Sequence, residues 1–340
     1  MEPHDCINSN DNVLINCYMP RRKGGSAAIN MKYMLDTKHK SSYQMSMNKL
    51  PLAKRAKILH LLCEGQSMRA VARLEDVSFN TVAKALIDAG TVCAQMHDEL
   101  VRDVRASKIQ CDEIWAFNYC KQRTVASAKA APEDAGDIWT WTGIDADSKL
   151  IVSYLVGDRS GQAAIELMDD LRSRLSNRVQ LSTDGHRAYL EAVEGAFGGD
   201  VDYAQVIKMY GPTPSPAGRY SPAECTGIKK VRVEGDPDER HVSTSFVEAH
   251  NKTMRMHMRR FTRLTNGHSK KVANHAHMVA LYTLFYNFIR THSKLRMTPA
   301  MQAGIATTFM SFEDVIARID AAQAPKVRGP YKKRATGGVK

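Results

Sequence analysis

The alternation of apolar and polar positions becomes regular near Met47. From Leu52 the run LAKRAKILHLLCEG places Leu52, Ala56, Ile58, Leu59 and Leu62 at helical spacing, and Gly65 marks its stop. Ser67 is placed to cap a second helix, MRAVARL, and Ser78 a third, FNTVAKALIDAG, which is expected to end before Gly90. Three short helices joined by tight turns over residues 47–92 predict an all-α helix-turn-helix unit, with the third helix in the recognition position. On that helix Asn80, Thr81 and Lys84 are polar and free to face a DNA groove. A small helical bundle with the same spacing is the plainer alternative. The turn before the third helix carries Asp76 where glycine would most easily take a positive φ, a conformation that Asp tolerates better than most residues.

Residues 93–107 read as a linker with a helix over 94–104, and after it the composition changes. KIQCDEIWAFNYC from Lys108 and DIWTWTGID from Asp137 are rich in Ile, Trp, Phe and Thr, as strands are. Residues 145–149 form a polar turn, and LIVSYLVG from Leu150 reads as the returning hairpin strand. GQAAIELMDDLRSRL has Ala164, Leu167, Met168, Leu171 and Leu175 at helical spacing. VQLST, ending at Asp184, is a short buried strand, HRAYLEAVEGAF a helix and DYAQVIKMY a fifth strand. Three strands, helix, strand, helix, strand and helix imply an α/β fold, a mixed sheet with an antiparallel hairpin and flanking helices. That order matches the ribonuclease H-like fold over residues 108–320. Pro, Gly and charge gather in residues 211–245, which read as an insertion or binding loop. Residues 1–46 lack periodicity and predict an extension without fixed structure, with Met47 a candidate start; 321–340 form a basic tail.

A length of 340 residues with 43% hydrophobic residues allows two or three domains and a real core. The formal net charge of +12 and the pI of about 9.3 favour an acidic polymer as partner, most commonly nucleic acid. No stretch reaches the roughly 18 apolar residues of a membrane span. The longest candidate, MVALYTLFYNFI over 278–289, has the length of a buried helix, and the first thirty residues hold no signal-peptide apolar region. A cytoplasmic protein with no membrane partner is expected. The seven cysteines form no C-x-x-C pair, and their odd count implies reduced thiols rather than a disulfide frame or a zinc cage.

Three acidic positions stand out by context: Asp112 in the first strand, Asp184 at the end of the fourth, and Glu248 at the start of a helix whose following residues are basic. In a ribonuclease H-like sheet the first and fourth strands are neighbours, so their carboxylates can converge, and a helix crossing nearby can add the third. Hard oxygen ligands suit Mg²⁺ or Mn²⁺. Two such ions about 4 Å apart can activate the attacking oxygen and stabilise the leaving one in phosphoryl displacement. Glu113 is expected to face solvent, because strand alternation lets only one of the Asp112 and Glu113 pair point at the site. Asp145 and Asp147 fit a hairpin turn better than a metal site. A lone Glu248 could simply complement a helix dipole. Its setting argues otherwise: Glu248, Asn251, Lys252, Arg255 and Arg259 are spaced to share one face of a helix, a carboxylate at one end of a basic stripe. His275 and His277, two apart on a helix, cannot share a face and read as packing residues.

CDEIWAF, LSTDGHRAYLEAVEGAF, RYSPAECTG and SFVEAHNKTMRMHMRRFTRLTNGHSKK together resemble the transposases of the IS-one family of bacterial insertion sequences, over about residues 47–316. The resemblance implies a DDE catalytic domain with Asp112, Asp184 and Glu248 as its triad, and Asn251, Arg255 and Arg259 in the signature helix, positioning DNA. It implies an enzyme of a transposable element that binds insertion-sequence ends and catalyses metal-dependent cleavage and strand transfer, a DNA transposition and recombination reaction. Two Mg²⁺ (or Mn²⁺) ions, double-stranded DNA at element ends and target, a homo-oligomer on DNA and nucleoid association when bound follow as expectations. Ala249 and His250 stand where the family usually has Arg or Gln beside the Asn. The cysteine pairs of the zinc-finger subunit found in some members are absent, which leaves end recognition to the helix-turn-helix. Two rivals stay open: a stand-alone nuclease or resolvase on the same fold, and a catalytically inactive DNA-binding regulator derived from a transposase.

Overall fold

The computed structural model describes residues 49–211, 225–262 and 265–323. The expectations for residues 1–46 and for the tail from 324 lie outside the described residues. Helices α1 (Leu52–Cys63), α2 (Met68–Leu74) and α3 (Phe79–Leu100) open the fold. Ser67 accepts the Ala70 N–H at 3.1 Å and Ser78 the Thr81 N–H at 3.1 Å, so both expected caps form. Asp76 sits at φ 46°, in the left-handed turn its position required.

Helix α3 does not stop before Gly90. It runs unbroken for 22 residues and absorbs most of the separate linker helix expected over 94–104. A glycine inside a helix costs up to about 1 kcal/mol relative to alanine, which is why it reads locally as a stop. Here it opens room for a neighbour: a Cβ at Gly90 would lie 2.4 Å from His277 Cβ and 2.5 Å from the His277 carbonyl oxygen.

The sheet is built from β1 (Lys108–Asn118), β2 (Gly136–Asp145), β3 (Ile151–Gly157), β4 (Val179–Asp184), β5 (Val201–Tyr210) and β6 (Cys225–Glu234), with α4 (Gly161–Arg174) and α5 (Ala188–Phe197) as crossovers. Its order is β3-β2-β1-β4-β5-β6. The β1–β2–β3 meander is antiparallel, and β1, β4 and β5 are mutually parallel. The fold is therefore mixed α/β with the expected ribonuclease H-like order in its first five strands. Within the stretch 211–245 that reads as an insertion or binding loop, residues 225–234 form a sixth strand that pairs antiparallel with β5. Lys229, Lys230 and Arg232 are exposed, and such charges protect an edge strand from further pairing. In the hairpin turn Asp145 accepts the backbone N–H groups of Asp147 (3.2 Å) and Ser148 (3.0 Å).

Beyond the sheet lie α6 (Ser245–His257), a short 3₁₀ turn (Arg259–Phe261), α7 (Val272–Leu284), a π turn (Phe285–Ile289), α8 (Pro299–Gln302) and α9 (Phe312–Ala322). Helix α7 is apolar on nearly every side and is buried accordingly, crossing α3 at Gly90. Asn287 closes it onto β3, exchanging hydrogen bonds of 2.9 Å with both backbone groups of Ile151. Helix α9 returns to α1, where Arg55 holds Asp320 with two hydrogen bonds of 3.0 and 2.8 Å. One hydrophobic core extends from Ala56 in α1 through the sheet to Ile319 in α9. The cysteines among the described residues are free thiols, and no helix among them is long and apolar enough to cross a membrane.

Candidate active site

Strand β1 pairs with β4 only as far as Cys111 and Thr183. One residue further on, Asp112 and Asp184 flank the point where the two strands part. Together with Glu113 they offer carboxylate oxygens that all lie within 4.8 Å of one another. Glu113 thus departs from the expectation that it faces solvent: it is 7% exposed. The face that alternation assigned to water is covered by Arg159, just after β3, and by Tyr189 on α5. Arg159 donates to Glu113 Oε1 from Nε at 2.6 Å and Nη2 at 2.5 Å, and the Tyr189 hydroxyl donates to Oε2 at 3.2 Å. The same guanidinium reaches Asp184 at 3.7 Å and lies over the Trp139 ring at 4.7 Å.

Glu248 is carried by the first turn of α6, and β1 itself fixes that turn. Gln110 Oε1 accepts the N–H groups of Phe246 (2.8 Å) and Val247 (3.2 Å), two donors at the start of α6 that have no partner within the helix. Two residues along, on the same face of β1, Asp112 Oδ2 accepts from Asn251 Nδ2 at 2.8 Å. The helix is pinned to the strand at both points. Glu248 stands outside the three-carboxylate group. Its Oε2 is 2.6 Å from Lys208 Nζ on β5, and its Oε1 accepts from the Thr244 hydroxyl.

Burial pushes the Asp112 carboxyl up to about 7, and the charges of Glu113, Asp184 and Glu248 add to the effect. Burial, followed by the charge of Asp184, lifts Glu113 to about 6 against the pull of Arg159. Carboxylates that desolvation and mutual repulsion bring this near to neutrality gain most from a cation placed among them. The donors suit a hard divalent ion such as Mg²⁺ or Mn²⁺. Asn251 adds a further one, since its buried Oδ1 makes no hydrogen bond among the described residues.

The residues expected to contact DNA are spread over two regions. Asn80 is exposed on α3, Thr81 is half-buried with its hydroxyl 2.9 Å from that of Ser78, and Lys84 is exposed but paired with Asp88 at 2.6 Å. Asn251 is buried at the carboxylates. Lys252 is exposed, and the partly buried Arg255 donates to the Phe261 carbonyl at 3.3 Å. Arg259 does not share the helix with Glu248 as its spacing suggested. Helix α6 ends at His257 because Met258 turns to extended backbone, which buries Met258 and Phe261 and leaves Arg259 exposed on the next turn. Gln110, Arg159, Tyr189 and Lys208 escaped sequence reasoning altogether. Only Gln110 left a signal, a period of two with Asp112 on a central strand.

No family model matches the chain, and no curated protein matches it. Among solved structures it is similar to a piggyBac transposase synaptic complex with hairpin DNA, at 10% sequence identity and a TM-score of 0.35, over 87% of this chain and 78% of that chain. It is also similar to a pre-cleavage Mos1 transpososome, at 14% identity and a TM-score of 0.17, over 47% and 61% of the respective chains. Scores this low decide neither fold nor function, which leaves the carboxylate geometry to carry the chemistry.

Proposed function

We propose that the chain is a DNA transposase of the DDE type, of the IS-one kind that its sequence blocks resemble, which cleaves insertion-sequence ends and joins them to target DNA. The convergence of Asp112 and Asp184 within 4.8 Å, beneath a helix that carries Glu248, is the observation that supports this most. Asp112 and Asp184 would hold Mg²⁺ or Mn²⁺, with Glu248 completing the set. Such ions supply activation of the attacking water or 3′-hydroxyl and stabilisation of the leaving oxygen. Asn251 orients Asp112, while Arg159 neutralises Glu113 beside Asp184 and leaves it the member of the cluster least available to a metal. Lys208, beside Glu248, is placed to meet a backbone phosphate as Glu248 turns toward a metal.

In this scheme residues 47–92 read element ends through Asn80, Thr81 and Lys84, and residues 108–320 perform the chemistry. Lys252, Arg255 and Arg259 steady the double-stranded DNA, on which the protein works as a homo-oligomer in the bacterial cytoplasm. The test is Asp112→Asn, Asp184→Asn and Glu248→Gln, each assayed for Mg²⁺-dependent cleavage and for joining of pre-cut ends. All three should lose both activities while keeping fold and DNA binding. Near-normal strand transfer by any one removes that residue from the triad, and cleavage without joining by the wild type favours a stand-alone nuclease.

A further inference from the structure

At the far end of α6 from the carboxylates a cleft of about 710 Å³ opens between α2, the start of α3 and the segment from Arg259 to Asn274. Arg69, Arg259, Arg260 and Lys270 line it, and no Asp or Glu does so among the described residues. Among the described residues none of the four forms an ion pair. Arg69, Arg259 and Lys270 are exposed; Arg260 is set into the wall, donating to Ser269 Oγ at 3.1 Å and Met68 Sδ at 3.3 Å. Burial with no carboxylate to offset it pulls the Arg260 guanidinium down to about 10, so it still carries its charge at neutral pH. Four cations converging without a counter-charge repel one another, and a polyanion relieves that repulsion.

The walls are joined to each other before any ligand arrives. His257 Nδ1 lies 2.8 Å from the Cys63 carbonyl. Gly65, at φ 74°, passes so close to α6 that a Cβ there would sit 2.5 Å from the Met256 carbonyl oxygen. Phe79 stands in the lining with 47% of its surface exposed, an aromatic face of the kind on which bases or sugars stack. Nine residues of helix separate Glu248 from His257, about 13 Å at 1.5 Å per residue. A DNA strand spaces its phosphates by about 3.4 Å along the duplex axis, so one that touched the carboxylates would reach the cleft roughly four nucleotides away.

We propose that this cleft is a second DNA-contact site, which grips the phosphates of the strand flanking the scissile bond and makes the N-terminal helices and the catalytic sheet one clamp. The proposal rests on the transposase reading for the source of the strand, and on the cleft's own charge for the grip. The experiment uses the full chain and a fluorescent 30-base-pair duplex of arbitrary sequence, in EDTA so that no cleavage occurs, with binding followed by anisotropy across a salt series. Each phosphate contact contributes about 0.9 to the slope of log affinity against log salt, so Arg69→Gln with Lys270→Gln should flatten it by about 1.8. Phe79→Ala should leave the slope unchanged, because loss of an apolar ring releases no counterions. A wild-type slope in the double variant overturns the cleft. Failure of the wild type to cleave insertion-sequence ends in a separate assay with Mg²⁺, with the expected slope change intact in EDTA, overturns the transposase reading and leaves the cleft standing.

Discussion

Asn251 Nδ2 lies 2.8 Å from Asp112 Oδ2, so the helix that carries Glu248 is tied directly to the strand that carries Asp112. Partners of this kind, behind a metal ligand, hold it in one orientation, and their loss costs about 10- to 100-fold in metal affinity. Asn251→Ala should weaken Mn²⁺ binding by that factor, measured by calorimetry on the DNA-free protein. Unchanged affinity would mean that the contact positions the helix only.

The contact between Lys208 and Glu248 works in the opposite sense. Both side chains are about one-third exposed, so the pair contributes no more than about 1 kcal/mol, or roughly fivefold. A metal that recruits Glu248 must displace Lys208. Lys208→Met should therefore tighten Mn²⁺ binding two- to fivefold, and the same change in a Glu248→Gln background should have a smaller effect. Equal effects in the two backgrounds would show that Glu248 is no ligand.

The raised Asp112 carboxyl makes stability depend on pH. An unfolded Asp releases its proton near pH 4 and the folded one near 7, so the folded state binds the extra proton between those values. Stability contributed by this group is greatest below pH 4 and declines as pH rises to about 7; Glu113, lifted to about 6, acts in the same direction. Asp112→Asn removes the charge. It should stabilise the metal-free protein at pH 8 by up to about 4 kcal/mol and change little at pH 4, by urea denaturation. The same shift at both pH values would exclude proton linkage as the cause.

Asp112 was legible as a polar interruption inside the apolar run of β1, and Asp184 as the residue at which the apolar run of β4 stops, since a short buried strand leaves few registers open. Glu113 was not, since its environment is set by Arg159 and Tyr189, which come from other elements. The sixth strand was hidden by its own composition: Lys229-Lys230-Val231-Arg232 has no apolar face, and only pairing with β5 makes it a strand. Gly90 misled for a third reason, because helix propensity is local and the α3–α7 crossing is not.

That crossing sets two effects of known size against each other. In an exposed helix Gly→Ala stabilises by up to about 1 kcal/mol, through the entropy of the unfolded chain. At Gly90 the added methyl would meet His277 Cβ at 2.4 Å and the His277 Cα and carbonyl oxygen at 2.5 Å, distances that force α3 and α7 apart. Overpacking of this kind costs about 1 to 3 kcal/mol, more where backbone must move, so Gly90→Ala should destabilise on balance by about 1 to 2 kcal/mol. Truncating the neighbour should not help. His277→Ala keeps the Cβ, Cα and carbonyl that make the clash, so the double variant should be no more stable than the sum of the singles allows. Urea denaturation of the two single variants and the double decides it: a gain near 1 kcal/mol from Gly90→Ala would place α3 and α7 further apart than the packing described above.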